Sequence, residues 1–473
     1  MNTNPEPSTQ KSERFRAYSP LRRTALVLGG AGADGAYQGG VLRALHEAGV
    51  KIDLLAGHGV GAATAALAAI DGAARLWEAD GLWQAEHAAR LYGWTRSLRL
   101  VLGLTAAALV ALFALALPVI ATAVMPGIGV AFGPAVAVTL LVVLLAAVGG
   151  ALWIAHRSLP ALRRAHGPWW WRIAGAPLDA TAARDRVADV LWQLIRGAAP
   201  EGRPSSAALG RRYAEVLREN LGQPGFRELL LVATDLDARQ DVVAALLGDR
   251  WRADFAAPRP GRPRTTDLLD LSGAGRDHAF DMVAAGMTPP VGCDPAMVTF
   301  AADSRWRGET HRLCDRPGAL HRLLEEAAAA GATQVIVVSA VAAADEPHRL
   351  RVPHLDPRRR LGEFQAAAEA AALRDALDVA RLRFDAAYLI SPTHNPVGSY
   401  DLSGAYDEAS DRRQDLHELM QRAYEDAYRQ FVEPVIGASG EHLGRAEAHG
   451  APADAHAGTL FHDLGSTRIR DLD

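Results

Sequence analysis

Five short runs of consecutive apolar residues stand out along the chain: ALVLG (25–29), IDLLA (52–56), ELLLVAT (228–234), QVIVVSAV (334–341) and AAYLIS (386–391). Each is bounded by turn residues and shows no apolar/polar alternation, the pattern of strands covered on both faces. Segments 36–48, 361–384 and 403–431 read as helices between or after them. Buried runs alternating with helices predict an α/β fold with a mostly parallel sheet flanked by helices. Ligands on such sheets bind at the carboxyl ends of the strands.

A different pattern interrupts this one. Between Arg99 and His156 there is no Asp, Glu, Lys, Arg or His. Residues 98–117 and 134–154 each approach the roughly 20 apolar residues that cross a bilayer, and the connection PVIATAVMPGIGVAFG is rich in Pro and Gly. The alternative is a buried hairpin of a soluble core, whose helices would carry a polar stripe that these lack. The spacing therefore predicts a two-helix transmembrane insertion. Arg90, Arg96 and Arg99 precede it, and His156, Arg157, Arg163 and Arg164 follow it. Positive charge at both ends predicts that the rest of the chain lies on the cytoplasmic side, as in a bacterial inner-membrane protein, with Trp169, Trp170 and Trp171 within reach of the interface.

Composition narrows the class only slightly. A net charge of -4 over 473 residues argues against a nucleic-acid partner. Cys293 and Cys314 have no metal-ligand spacing and read as buried thiols. The polar, Pro-containing stretch 1–20 reads as a disordered arm, and 437–473 as a flexible tail whose four histidines are too loosely spaced to predict a metal site. No cofactor is predicted.

The chemistry-bearing motifs lie at the ends of the first two strands. After the first, Gly30, Gly32 and Gly35 satisfy G-x-G-x-x-G, and Asp53 follows where a ribose-binding acid would stand. A dinucleotide site in an oxidoreductase is one reading; an oxyanion loop, with backbone N–H groups aimed at developing charge, is the other. After the second strand comes a second glycine turn, Gly57-His58-Gly59-Val60-Gly61, leading into an Ala-rich helix. Strand, sharp turn and helix make a nucleophile elbow. A Rossmann unit does not call for it, whereas an acyl hydrolase needs both turns.

In these two turns the sequence resembles the patatin-like phospholipase family, in which G-x-G-x-[RK]-G supplies the oxyanion loop, G-x-S-x-G the serine, and a later D-G-[GA] the aspartate of a Ser-Asp dyad. ELLLVATDLDARQDVV, FDMVAAGMTPPV with Pro289 and Pro290, the segment around Asp315, and the closing SPTHNPVGSYDLSGAYDEASDRRQ continue the likeness across about 21–436. The resemblance implies an oxyanion loop at Gly30, Gly32, Asp34 and Gly35, an elbow at Gly57, His58 and Gly61, a dyad aspartate at Asp315, and a phospholipid or acyl-lipid ligand. It also implies three departures. Gly59 stands where the family has serine, Asp34 replaces the basic residue and sets a negative charge where charge would develop, and Arg316 and Pro317 replace the glycines after Asp315.

No other G-x-S-x-G occurs, and Ser272 and Ser439 read as loop serines. His58 reads as a tolerant position beside the apex, Thr64 as pointing away from it, and Asp235 and Asp237 as turn formers. The arginine runs Arg211–Arg212 and Arg358–Arg360 read as solvated surface, or as contacts to anionic headgroups. The resulting expectation is a membrane-anchored patatin-like pseudoenzyme that binds lipid or a protein partner. An active lipid acyl hydrolase using atypical residues and a nucleotide-binding oxidoreductase are the alternatives. Its predicted organisation is 1–20 arm, 21–96 first part of the patatin-like domain, 97–156 hairpin, 157–436 remainder of the domain and 437–473 tail.

Overall fold

The computed structural model describes residues 18–437, apart from 79, 84–87, most of 125–175, 198–201, 258–263, 303, 342–355, 394–396 and 408–411. The chain begins β1 (Thr24–Leu28), α1 (Asp34–Glu47), β2 (Leu54–Gly57), α2 (Val60–Ala69), β3 (Gly93–Trp94), α3 (Arg96–Val124), β4 (Leu178–Asp179), α4 (Thr181–Ile195) and α5 (Ser206–Asn220). It continues β5 (Glu228–Asp235), β6 (Gln240–Leu246), α6 (Asp249–Ala256), β7 (Asp267–Asp270), α7 (Ala279–Gly286), β8 (Ala296–Thr299), β9 (Thr310–Cys314) and α8 (Leu320–Ala329). Then follow β10 (Gln334–Val338), α9 (Pro357–Arg383), β11 (Ala386–Ile390), β12 (Ala405–Asp407), β13 (Arg412–Gln414) and α10 (Leu416–Ala427).

All five apolar runs form strands, and they are neighbours: the main sheet runs β11-β10-β1-β2-β5-β6-β7. The first four pairings are parallel, and β1 and β10 are buried along their whole length. That burial is why these strands read as unbroken apolar runs. One core packs Val27, Leu54, Leu230 and Val337 of the sheet against Leu323 of α8 and Ala376 of α9. Beyond β5 the sheet is mixed: β6 and β9 both pair β5 antiparallel, β8 pairs β9 antiparallel, and β7 pairs β6 parallel. Leu28 pairs in register with Gly57 and Gly57 with Leu231, so the turns after β1 and β2 emerge side by side at the carboxyl ends of two central strands.

One helix expectation fails. Segment 403–431 is helical only from Leu416; before it lies the antiparallel pair β12–β13. Gly404 at φ 90° leads into the strand pair, and the Asp415 side chain, which accepts from Glu418 N, starts the helix after it. The predicted arm also ends earlier than residue 20. Tyr18 packs edge-on against Phe431 and Ser19 N donates to Gln334 Oε1, whereas 1–17 and 438–473 lie outside the described residues.

The chain divides into two compact units, 1–92 with 180–473, and 93–179. In the second, β3 and β4 pair antiparallel, Gly93 opposite Asp179 and Trp94 opposite Leu178. From this base rises α3, whose Leu100, Leu102, Leu104, Leu109, Val110 and Phe113 are exposed. Among the described residues no helix is long and apolar enough to cross a membrane. The side chains of α3 at 101, 112 and 114–124, most of the second predicted span, and His156 to Trp171 lie outside the described set.

Candidate functional site

The loop after β1 turns through Gly30 at φ 122° and Gly32 at φ 54°, conformations that favour glycine. At Gly32 space adds to conformation, since a Cβ there would stand 1.9 Å from the Ser399 carbonyl oxygen. Gly35, on the first turn of α1, lies against the indole of Trp83. The elbow follows β2. Gly57 ends the strand, Gly61 packs against Leu28, and between them Gly59 caps α2 at φ 60°, ψ −139°. The sharp strand-to-helix turn predicted from Gly57-His58-Gly59-Val60-Gly61 is therefore present, with Gly59 at its apex.

The glycine loop lies directly on that apex. A Cβ on Gly59 would stand 2.0 Å from Gly30 O and 3.4 Å from Asp315 Oδ2. Val60 N, the donor just past the apex, gives its hydrogen to Gly30 O at 2.9 Å. Ala31 N donates to Asp34 Oδ2 at 2.7 Å and Ala33 N to Ser399 O at 2.7 Å. Three backbone donors of the kind an oxyanion hole uses are thus taken by acceptors of the chain itself.

Asp34 differs from its sequence-based reading. Its buried carboxylate turns back onto the loop, with Ser399 Oγ 3.4 Å from both oxygens. Burial, then the charge of Glu369, pushes it up to about 7 against the hydrogen bond from Ala31. It is a loop cap that is partly protonated near neutrality, not a fixed charge in an open site.

Asp315, His58 and Glu369 form one buried group. His58 Nδ1 lies 3.4 Å from Asp315 Oδ1, and Nε2 lies 3.5 Å from Glu369 Oε2. Burial alone would lower the His58 pKa, but the two flanking carboxylates outweigh it and push the ring up to about 10. The imidazole is therefore a cation near neutrality and no general base. Burial raises Asp315, whose own N–H donates to Thr288 O at 2.9 Å. The loop after it is pinned on both sides: Arg316 turns away to bond Asp241 of β6, and Gly318 N donates to Glu369 Oε1 at 2.8 Å. Tyr400 bonds Gln365, one helical turn before Glu369 on α9.

Glu369, Gln365 and Ser399 were not singled out from the sequence. Glu369 offers one faint signal, a lone acid within the run AAAEAAA. Nothing local to it or to Ser399 names a partner so distant in the chain. Asp53, the candidate ribose acid, sits before β2 rather than at its carboxyl end, where it accepts from Thr24 N at 2.9 Å. That position is at the wrong end of the strand for a dinucleotide. Asp235 takes hydrogens from Asp237 N and Ala238 N, both at 2.9 Å, and faces His311 at 2.5 Å; Asp237 holds Arg312. Both are turn residues, and Thr64 donates to Val60 O within its own helix. Cys293 and Cys314 are buried free thiols. Among the described residues no group of three or more His, Cys, Asp or Glu is arranged to hold a metal ion.

A protein-family model described as Patatin-like phospholipase matches residues 26–259, the stretch that holds both glycine turns and β5. Residues 26–259 form a patatin-like phospholipase domain. The matched stretch ends before Asp315, Glu369 and Ser399, so three of the groups that close this patatin-like site lie beyond it. No curated protein matches the chain. Among solved structures, the chain is similar to VipD from Legionella pneumophila at 13% identity, covering 88% of this chain and 67% of that one, with a TM-score of 0.31.

Proposed function

We propose that this patatin-like protein binds an acyl lipid or phospholipid, or a protein partner, without cleaving esters, and that its apolar insertion anchors it in a membrane. The observation that carries the first part is the collapsed elbow. Family chemistry requires a hydroxyl at the apex, a base beside it, and free backbone donors for the oxyanion. Here the apex has no side chain, the place of its Cβ is taken by Gly30 O, and the donors at Ala31, Ala33 and Val60 are taken. A serine-reactive fluorophosphonate probe should leave the purified protein unlabelled, and an ester substrate should not turn over. Labelling that disappears when a single serine is replaced would sink this reading.

A second reading, an active acyl hydrolase, has one observation in its favour: Asp315 still faces the apex. It requires turnover that is lost on Asp315→Ala.

The membrane part rests on α3. From Leu100 to Val110 every described side chain except Ala108 is exposed, and those residues are apolar apart from Thr105. Their exposure around the helix, rather than along one stripe, suits hydrocarbon better than a single partner face. The flanking arginines favour a cytoplasmic position for the patatin-like unit. Full-length protein should stay with the membrane fraction through an alkaline carbonate wash, and release by that wash would count against anchoring.

A further inference from the structure

The inner face of α9 carries polar atoms that the elbow approaches without satisfying. Gln365 and Glu369 are buried and, being four residues apart, share one face of the helix. Each has one head engaged, Gln365 Oε1 by the Tyr400 hydroxyl and Glu369 Oε1 by Gly318 N. The other heads, Gln365 Nε2 and Glu369 Oε2, have no hydrogen-bond partner among the described residues, and neither does the buried His58 Nε2. His58 Nε2 and Glu369 Oε2 face each other at 3.5 Å without forming a hydrogen bond. Tyr400, which holds Gln365, is close enough to Asp315 and Asp34 to feel both carboxylates, and Glu369 acts on the same two. Gln365 beside Glu369 on one helix face, and Glu369 3.5 Å from His58, bring the three side chains into one buried group, and buried polar atoms without partners call for a further hydrogen-bonding group.

Donor and acceptor counting says what that atom is. Glu369 Oε2 calls for a donor. Gln365 Nε2 and the Nε2–H of a His58 ring flanked by two carboxylates call for acceptors. A hydroxyl oxygen offers one donor and two acceptor lone pairs. With the carboxylates of Asp315 and Glu369 flanking a single imidazole, an anion is disfavoured and a neutral oxygen fits. We propose that α9 and the elbow enclose a binding site for one hydroxyl oxygen, held by His58, Gln365 and Glu369 and filled by water or by the hydroxyl of a small alcohol. The site stands whether or not the protein cleaves esters, because none of its three atoms depends on a nucleophile at Gly59.

Crystals of the full-length protein grown without alcohols, and a second set soaked in 2-bromoethanol, separate the two sources. The expected result is a density peak within hydrogen-bond distance of all three atoms. An oxygen peak in the first set with no bromine signal in the second assigns water; an anomalous bromine peak beside Glu369 assigns an alcohol. In Gln365→Met, which keeps the size of the side chain and removes its donor, the peak should fall to background. No peak in either set, direct bonding among the three atoms, or a peak unchanged in Gln365→Met would overturn the proposal.

Discussion

Gly59 is held by two independent constraints, a positive φ and the Gly30 carbonyl 2.0 Å from where a Cβ would stand. The family pattern suggests that Gly59→Ser with Asp34→Arg would restore an esterase. The geometry leads to the opposite expectation. The serine must displace the glycine loop, and the Asp34→Arg change would remove the cap on Ala31 N. Both the single Gly59→Ser variant and the double variant should stay inert toward esters, and Gly59→Ser should lose about 1–3 kcal/mol of stability, the usual range for a strained backbone position. Ester hydrolysis and a denaturant melt check the two parts.

His58 is the second residue-scale case. As the cation between Asp315 and Glu369 it answers two buried carboxylates, so His58→Leu should cost about 3–5 kcal/mol, read as a shift in the denaturation midpoint. The pH dependence follows in sign. His58 is raised to about 10, so its contribution is complete below its unfolded value, about 6.5, and is lost as pH rises through 10. Asp34 works in the same direction at lower pH. Its raised carboxyl holds a proton that the unfolded chain has released, so stability falls as pH rises from about 4 toward 7. Wild type should therefore lose stability in two stages on alkaline titration, with the upper one absent in His58→Leu.

These residues also show how far the sequence could be read. The apex Gly59 and Asp315 were visible because both sit in short motifs with fixed spacing. The role of His58 was not, because its charge is set by Glu369, on a helix far along the chain.

At the scale of elements, the strands buried on both faces were legible because their environment writes an unbroken apolar run. The strands β7 to β9 were not. Met297 and Thr299 of β8 and Thr310 and Arg312 of β9 face solvent, which breaks the run, and β7 is short. The β12–β13 pair was read as helix because its charged residues suit a helix surface, whereas Gly404 at positive φ dictates otherwise. The closing segment through Ser399 and Tyr400 acts on the glycine loop as a strap, accepting from Ala33 N and reaching Asp34 and Gln365. Gly32→Ala drives a methyl into the Ser399 carbonyl, so it should lower the melting temperature and speed amide exchange in peptides spanning Ala33 and residues 397–400. Unchanged exchange there would mean the strap does not depend on Gly32.

For the whole molecule, the sheet and the two adjacent turns were readable from runs and their spacing. The closing of the site was not, since it depends on five separated segments meeting: the glycine loop, the elbow, the Asp315 loop, α9 and the Ser399 strap. The pairing of Gly93 with Asp179 and of Trp94 with Leu178 bears on how such a chain can vary. Because the insertion leaves and returns at neighbouring residues, lengthening or shortening it changes the entropy of closing a loop only logarithmically. Replacing 95–177 with a short glycine-serine turn should therefore leave the melting temperature of the remaining unit within a few degrees of the full chain, measured in detergent for both. The two-residue ladder β3–β4 thus holds the two ends of the apolar segment together, so that a change in its length is met at the ladder before it reaches the sheet that carries the elbow.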